Sequence, residues 1–331
     1  MPDWLATGLL SFLGIAILFA IIPVVVMALV YFERKVIARM QDRYGPNRVG
    51  PFGILQPVAD ALKLLTKEDI VPAGADKLLF ALSPIIVLSA SLMVWAVVPF
   101  APGLAVADLN VAVLFVIAMS GLPSIGFVMA GWASDNKYSL LGGMRAAAQF
   151  VSYEIPGILA VLVPVLLAGS MSLQDIVRAQ SAGNWYLFYF PIGPLAFLIF
   201  LIAGTAESNR TPFDLVEAES EIIAGFHTEY SGMRFALFFL AEYANVFVIS
   251  ALGSVFFLGG WDGPILPPYV WFMAKVSALV FVFFWFRGTL PRLRYDQLMH
   301  FAWKRLFPIA LANVALTALA IVYVLPLLGL R

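Results

Sequence analysis

Six carboxylates stand close together in ESNRTPFDLVEAESEIIAGFHTEY, residues 207–230: Glu207, Asp214, Glu217, Glu219, Glu221 and Glu229. The one Lys or Arg among them is Arg210. Crowded, partly desolvated carboxylates disfavour each other's charge, so some hold a proton near neutral pH and the set titrates as a unit. Such a row can store and pass protons. The plain alternative is a solvated acidic face. Phe213, Leu215, Ile222, Ile223 and Phe226 are interleaved with the acids, which a solvated face does not need.

Three further ionisable residues, Glu154, Glu242 and Lys275, lie inside apolar runs. Glu154 follows Arg145 by nine residues, about 13 Å along a helix, and Glu242 follows Arg234 by eight. Charged groups at such positions face a bundle interior or a water-filled cavity and mark proton or ion paths. The alternative is a satisfied structural pair, for example Glu242 with Lys275. Arg287, Arg292 and Arg294 form a basic cluster. It fits membrane topology alone, an anionic partner surface, or a group that polarises a ligand carbonyl.

No catalytic signature accompanies these charges. The chain has no phosphate-binding glycine pattern beside a strand, no zinc pattern and no nucleophile elbow. Cysteine is absent, which excludes a Cys-ligated iron–sulfur cluster here. The two histidines, His227 and His300, lie away from any span centre and argue against a bis-histidine haem. No residue is assigned as catalytic or as a metal ligand. If the chain serves a redox reaction, the redox centres belong to partners. A net charge of zero points to no nucleic-acid partner.

The elements that must position these groups are membrane helices. The chain is 62% hydrophobic, and long uncharged runs recur along it. They predict an all-α polytopic membrane protein with eight spans near 8–32, 77–99, 107–131, 146–168, 187–207, 233–258, 268–287 and 305–328. The first run lacks a basic leader and a small-residue cleavage site, so it reads as a retained span. The whole chain, 1–331, reads as one membrane domain, with a cytoplasmic segment at 33–76 and the acidic loop at 208–232. Alternate connections carry 17 of the 20 Lys and Arg, which puts both termini on the non-cytoplasmic side and the acidic loop on the cytoplasmic one.

Two shorter elements complete the reading. In FGILQPVADALKLLTKED, residues 52–69, Ile54, Leu55, Val58, Leu62 and Leu65 repeat at helical spacing opposite Asp60, Lys63 and Lys67. This predicts an interfacial amphipathic helix, either a simple rest on the membrane surface or part of a site. In the acidic loop, Thr211 as N-cap, Pro212 at the first position and Asp214 as capping-box partner predict a helix near 212–224, closed by Gly225. It would put Glu217 and Glu221 on one face and turn Glu219 away.

Long motifs then bring in a family. ERKVIARMQDRYGPNRVGPFGILQPVADALKLLTKED at 33–69, SNRTPFDLVEAESEIIAGFHTEY at 208–230 and RYDQLMHFAWKRLFP at 294–308 resemble the quinone-site membrane subunit of respiratory complex I. GWASDNKYSLLGGMRAAAQFVSYE at 131–154 and FALFFLAEYANV at 235–246 extend the resemblance to nearly the whole chain. It implies eight tilted helices at the membrane end of a quinone chamber, in the bacterial plasma membrane or another energy-transducing membrane. Quinone is then a substrate, entering near the first span and the interfacial helix. The chain itself holds no cofactor, while FMN and iron–sulfur clusters belong to partner subunits. The implied partners are two soluble quinone-site subunits, small membrane subunits and antiporter-like subunits.

The resemblance also implies roles. Glu33, Arg34, Asp214, Phe226, Arg210, Arg287 and Arg292 line the chamber. Glu154, Glu207, Glu217, Glu219, Glu221 and Glu242 form a proton relay, with Asp214 at its start. Gly121, in SGLPSIG, stands where some members carry a glutamate, so a carboxylate of the row is missing there. Related membrane-bound hydrogenases and ferredoxin- or F420-linked oxidoreductases share the fold. A stand-alone cation/proton antiporter and a structural anchor are the rivals from other classes.

Overall fold

The computed structural model describes residues 3–216 and 223–324. Its helices are α1 (Asp3–Met40), α2 (Gln56–Thr66), α3 (Lys77–Val94), α4 (Ala112–Ser120), α5 (Leu122–Ala133), α6 (Lys137–Ala168), α7 (Leu173–Ala179), α8 (Ile192–Glu207), α9 (Gly232–Phe257), α10 (Pro268–Thr289), α11 (Tyr295–Phe301) and α12 (Phe307–Leu319). No β-strand occurs among the described residues. Backbone groups in hydrocarbon must find partners within their own segment, and helices meet that demand.

Among the described residues, six helices are long and apolar enough to cross a membrane: Lys77–Val94, Ala112–Ala133, Lys137–Ala168, Gly232–Phe257, Pro268–Thr289 and Tyr295–Tyr323. Ile192–Glu207 is a shorter apolar helix of 16 residues, and α1 runs for 38 residues. The chain is an integral membrane protein. Between α4 and α5 Gly121 keeps near-helical angles, so the two form one rod. The stretch from Tyr295 onward runs through a wider π-turn at Ala302–Leu306, just before Pro308, whose ring supplies no N–H.

The core is built where α6 packs on α5 and α8, α3 on α5 and α9, and α9 on α10. Large side chains such as Trp95, Tyr153, Phe256 and Phe272 are fully buried there. Large apolar side chains also face outward along the bundle, among them Val24, Leu198, Trp285 and Leu316. In water that pattern would be an aggregation liability; against lipid tails it costs nothing.

The amphipathic helix forms as α2, with Val58, Leu62 and Leu65 exposed along it and Ile54 and Leu55 exposed in the turn just before it. The acidic loop departs from the predicted start of its helix. Residues 211–216 form turns, so Thr211 caps no helix starting at Pro212. The carbonyls that a helix would bond internally are taken elsewhere: Pro212 O accepts from Leu293 N at 3.1 Å, and Phe213 O from Gln149 Nε2 at 2.9 Å. Residues 217–222, with Glu217, Glu219 and Glu221, lie outside the described residues. Gly225 has φ +63° and opens a short turn over Gly225–His227.

Candidate functional site

α1 ends on the loop side as an ordinary helix, yet it buries Glu33 to 2% exposure. A carboxylate this deep must be compensated. Two cations meet it. Arg210 Nη1, just beyond α8, donates to Glu33 Oε1 at 3.1 Å, and Arg287 near the end of α10 donates to the same oxygen. Arg210 also pairs with Glu242 of α9, with Nε 3.1 Å from Oε1. Its guanidinium lies over the ring of Tyr243, 4.2 Å from the centroid. Burial opposes the charge of Arg210, but Glu242, Tyr243 and Glu33 outweigh it and hold the guanidinium above its usual range.

Gln149 explains why Arg210 sits where it does. From α6, its Nε2 lies 2.8 Å from Ala206 O and 2.9 Å from Phe213 O. One amide therefore ties the end of α8 to the first turn of the acidic loop, with Arg210 between. Asp214, one residue further, is within electrostatic reach of Glu242. The cluster keeps spare capacity: Glu33 Oε2 and Arg210 Nη2 are buried without a hydrogen-bond partner among the described residues. Groups left this way want water or a ligand.

From this cluster two cavities lead into the bundle. A space of about 110 Å³ touches Glu242, Glu207, Asn209, His227 and Asn245. A second, of about 70 Å³, touches Glu207, Asn245, Ser91, Ser120 and Glu154. Both have polar groups in their walls and room for several waters. Glu207 and Asn245 border both, so they stand between them. Glu154 accepts from Ser120 Oγ at 3.4 Å, and a Cβ at Gly121 would lie 3.2 Å from Glu154 Oε1. The space a side chain would take at 121 thus abuts the Glu154 carboxylate.

On the other side of the cluster, α1, α2 and α9 enclose a space of about 230 Å³ lined by Pro23, Val26, Val30, Leu64, Leu65 and Leu237. Its walls are almost wholly apolar. The exceptions are Arg34 and Asp60 of α2, which pair at 2.6 Å.

The family model described as NADH dehydrogenase matches residues 13–318. The chain belongs to this family. It is 53% identical to an H-type subunit of NADH-quinone oxidoreductase from Geobacter sulfurreducens, over 94% of this chain and 96% of that one. It is 54% identical to the H-type subunit of a Geobacillus species, over 96% of each chain. The H-type subunit of Bacillus cytotoxicus is 56% identical over 93% of this chain and 92% of its own.

Within this NADH dehydrogenase-family chain, the residues singled out from sequence divide into groups. Glu33, Arg210, Arg287 and Glu242 share one cluster, with Asp214 beside it. Glu207 and Glu154 follow along the cavities. Arg34 stands apart at the apolar space. Phe226 is buried, packed 4.5 Å from Phe127 and 5.0 Å from Phe238 between ring centroids, and it touches the 110 Å³ cavity. Arg292 lies in the extended link 290–294. A Glu242–Lys275 pair does not form. Glu242 pairs with Arg210, and Lys275 binds carbonyls at the far end of α9. Tyr243, Asn245, Ser120 and Gln149 were missed by sequence reasoning. Asn245 was within reach, since it follows Glu242 by three residues and so shares its face of the helix.

Proposed function

We propose that this chain is the H-type membrane subunit of a proton-translocating NADH-quinone oxidoreductase, and that it links quinone chemistry to proton movement. One observation carries the reading: Glu33, Arg210 and Glu242 form a cluster, with Arg287 at its edge, and it stands between an apolar pocket beside α1 and two water-sized cavities bordered by Glu207 and Glu154. The pocket fits an isoprenoid quinone tail. The charged cluster, with its spare donor and acceptor, fits the membrane end of a chamber completed by soluble subunits that carry the iron–sulfur clusters and FMN.

Quinone becomes quinol by taking two electrons and two protons. The electrons come from the partner subunits, and this chain's part is the electrostatic and protonic response. A negative or proton-hungry quinone species near Arg287 and Arg210 competes with Glu33 and Glu242 for their charge. Weakening the Arg210–Glu242 pair makes Glu242 a better proton acceptor. The nearest donors through water are Glu207 and then Glu154. Glu217, Glu219 and Glu221 extend the relay on the cytoplasmic side, and water in the Glu154 cavity takes the place of a carboxylate at Gly121. Eight spans, both termini non-cytoplasmic, and the interfacial helix α2 at the quinone entrance complete this reading, with small membrane and antiporter-like subunits as further partners in a bacterial plasma membrane.

The test is an Arg287→Ala substitution in the assembled complex. Quinone reduction falls while electron transfer from NADH to a hydrophilic artificial acceptor is kept. Equal loss of both activities in a normally assembled complex contradicts the reading. So does quinone reductase activity from the isolated chain.

A further inference from the structure

Lys275 stands outside the line of charges, yet all its hydrogen-bonding capacity is used. It sits on α10 with 7% of its surface exposed. Its ammonium donates to Leu258 O at 2.6 Å, Gly260 O at 3.0 Å and Asp262 O at 2.6 Å. An ammonium has three N–H donors, and here each has its own carbonyl. The ring of Trp185 lies 4.3 Å from the nitrogen and that of Trp271 5.9 Å. Both faces contribute cation–π attraction where water is excluded.

The backbone is bent to make this cage. α9 ends at Phe257, and Gly259 and Gly260 follow with φ +70° and +48°. Gly260 N donates back to Ser254 O at 2.9 Å, and Gly259 N to Gln180 Oε1 at 3.0 Å. Side chains at these glycines would strike Trp185 or Val177 at 2.8 Å. The turn therefore points three carbonyls inward at one spot. Without a cation they would be unpaired acceptors, at least half-buried, beside the negative end of the α9 dipole. A bare alkali or alkaline-earth ion is a poor occupant, because hard cations want about six or more oxygens and three are offered here. Three acceptors around one point, closed by an aromatic face, fit a primary ammonium.

We propose that the carbonyls of Leu258, Gly260 and Asp262 with the Trp185 face form a primary-ammonium binding site, occupied in this protein by its own Lys275, and that this occupancy fixes the far end of α9. α9 carries Glu242, Tyr243 and Asn245 about its middle, so Lys275 is a positioning residue outside the proton path. The site stands on its own contacts and needs no quinone chemistry.

The experiment heats membranes holding the whole complex and follows loss of this chain from it by immunoblot. Lys275→Ala shortens the half-life by roughly tenfold or more, because three carbonyls, one buried and two part-buried, lose their donors. Added methylammonium restores it with a saturable dose curve. Tetramethylammonium, a cation without N–H, does not. Lys275→Met, whose side chain fills the cage, is as short-lived as Lys275→Ala and gains nothing from methylammonium. A wild-type half-life in Lys275→Ala overturns the proposal, as does equal rescue by tetramethylammonium. Should Lys275→Ala not accumulate, Lys275→Arg decides: its planar fork keeps the charge but cannot aim three N–H groups at one spot. A shortened half-life there supports the cage, and a wild-type one overturns it.

Discussion

Arg210 Nη1 donates to Glu33 Oε1 at 3.1 Å across 177 residues of sequence, and both residues are at most 3% exposed. The pair ties the end of α1 to the start of the acidic loop. The same guanidinium pairs with Glu242, so one side chain governs two buried carboxylates on two helices.

Removing Arg210 therefore leaves Glu33 with Arg287 alone and Glu242 without its close cation. Arg210→Ala is expected to destabilise the chain by about 3–5 kcal/mol, the range for stranding a buried charge. Arg210→Lys keeps the charge but not the fork that reaches both acids, and is expected to fall between. The amount of chain retained in membranes, and its thermal stability there, checks the order wild type, Lys, Ala.

The apolar space between α1, α2 and α9 offers a second test. Ala61 of α2 and Ala236 of α9 line it with the smallest side chains. Ala61→Phe fills the space and is expected to raise the KM for a long-tailed quinone about tenfold, a difference of about 1.4 kcal/mol. Short-tailed quinones need less of the pocket and should be affected less. Steady-state kinetics across tail lengths reads this directly.

Much of this architecture was legible in the sequence, because long apolar runs and the spacing of Leu55, Val58, Leu62 and Leu65 report local physics. The long-range contacts were not. Nothing in the sequence says that Arg210 meets Glu33, because that contact needs α1, α8 and α9 in place. The suggested Glu242–Lys275 pair fails for a geometric reason. α9 and α10 are consecutive helices joined by a short link, so Lys275 is level with Leu258, which lies about 24 Å along α9 from Glu242 at 1.5 Å per residue. The predicted start of the loop helix failed differently: Thr211-Pro212 and Asp214 form a sound local start signal, but Gln149 and Leu293 take the carbonyls that a helix beginning there required.

His227 gives a pH prediction. Burial pushes its imidazole down to about 4 from an ordinary 6.5. The folded chain thus binds fewer protons at this site than the unfolded chain between those values. Stability is intact above about 6.5 and is lost as pH falls toward about 4. His227→Gln, which cannot charge, is expected to move acid inactivation to lower pH. The turnover profile between about pH 6.5 and 8 should not change, since His227 is neutral throughout. A flattened profile there would give His227 a place in proton transfer.

The central claim is that Glu207, between the two cavities, carries protons from Glu154 to Glu242. The decisive measurement is NADH-driven proton uptake into vesicles, normalised to assembled complex and to quinone turnover, across pH. Glutamine keeps size and hydrogen-bonding capacity but cannot ionise. Glu207→Gln is expected to assemble normally, with slowed turnover, reduced uptake per quinone or a displaced pH optimum. Glu154→Gln is expected to show the same kind of defect, and the double variant to fall short of the two effects added, since both interrupt one path. An assembled Glu207→Gln complex with wild-type turnover, uptake and pH profile would contradict the claim.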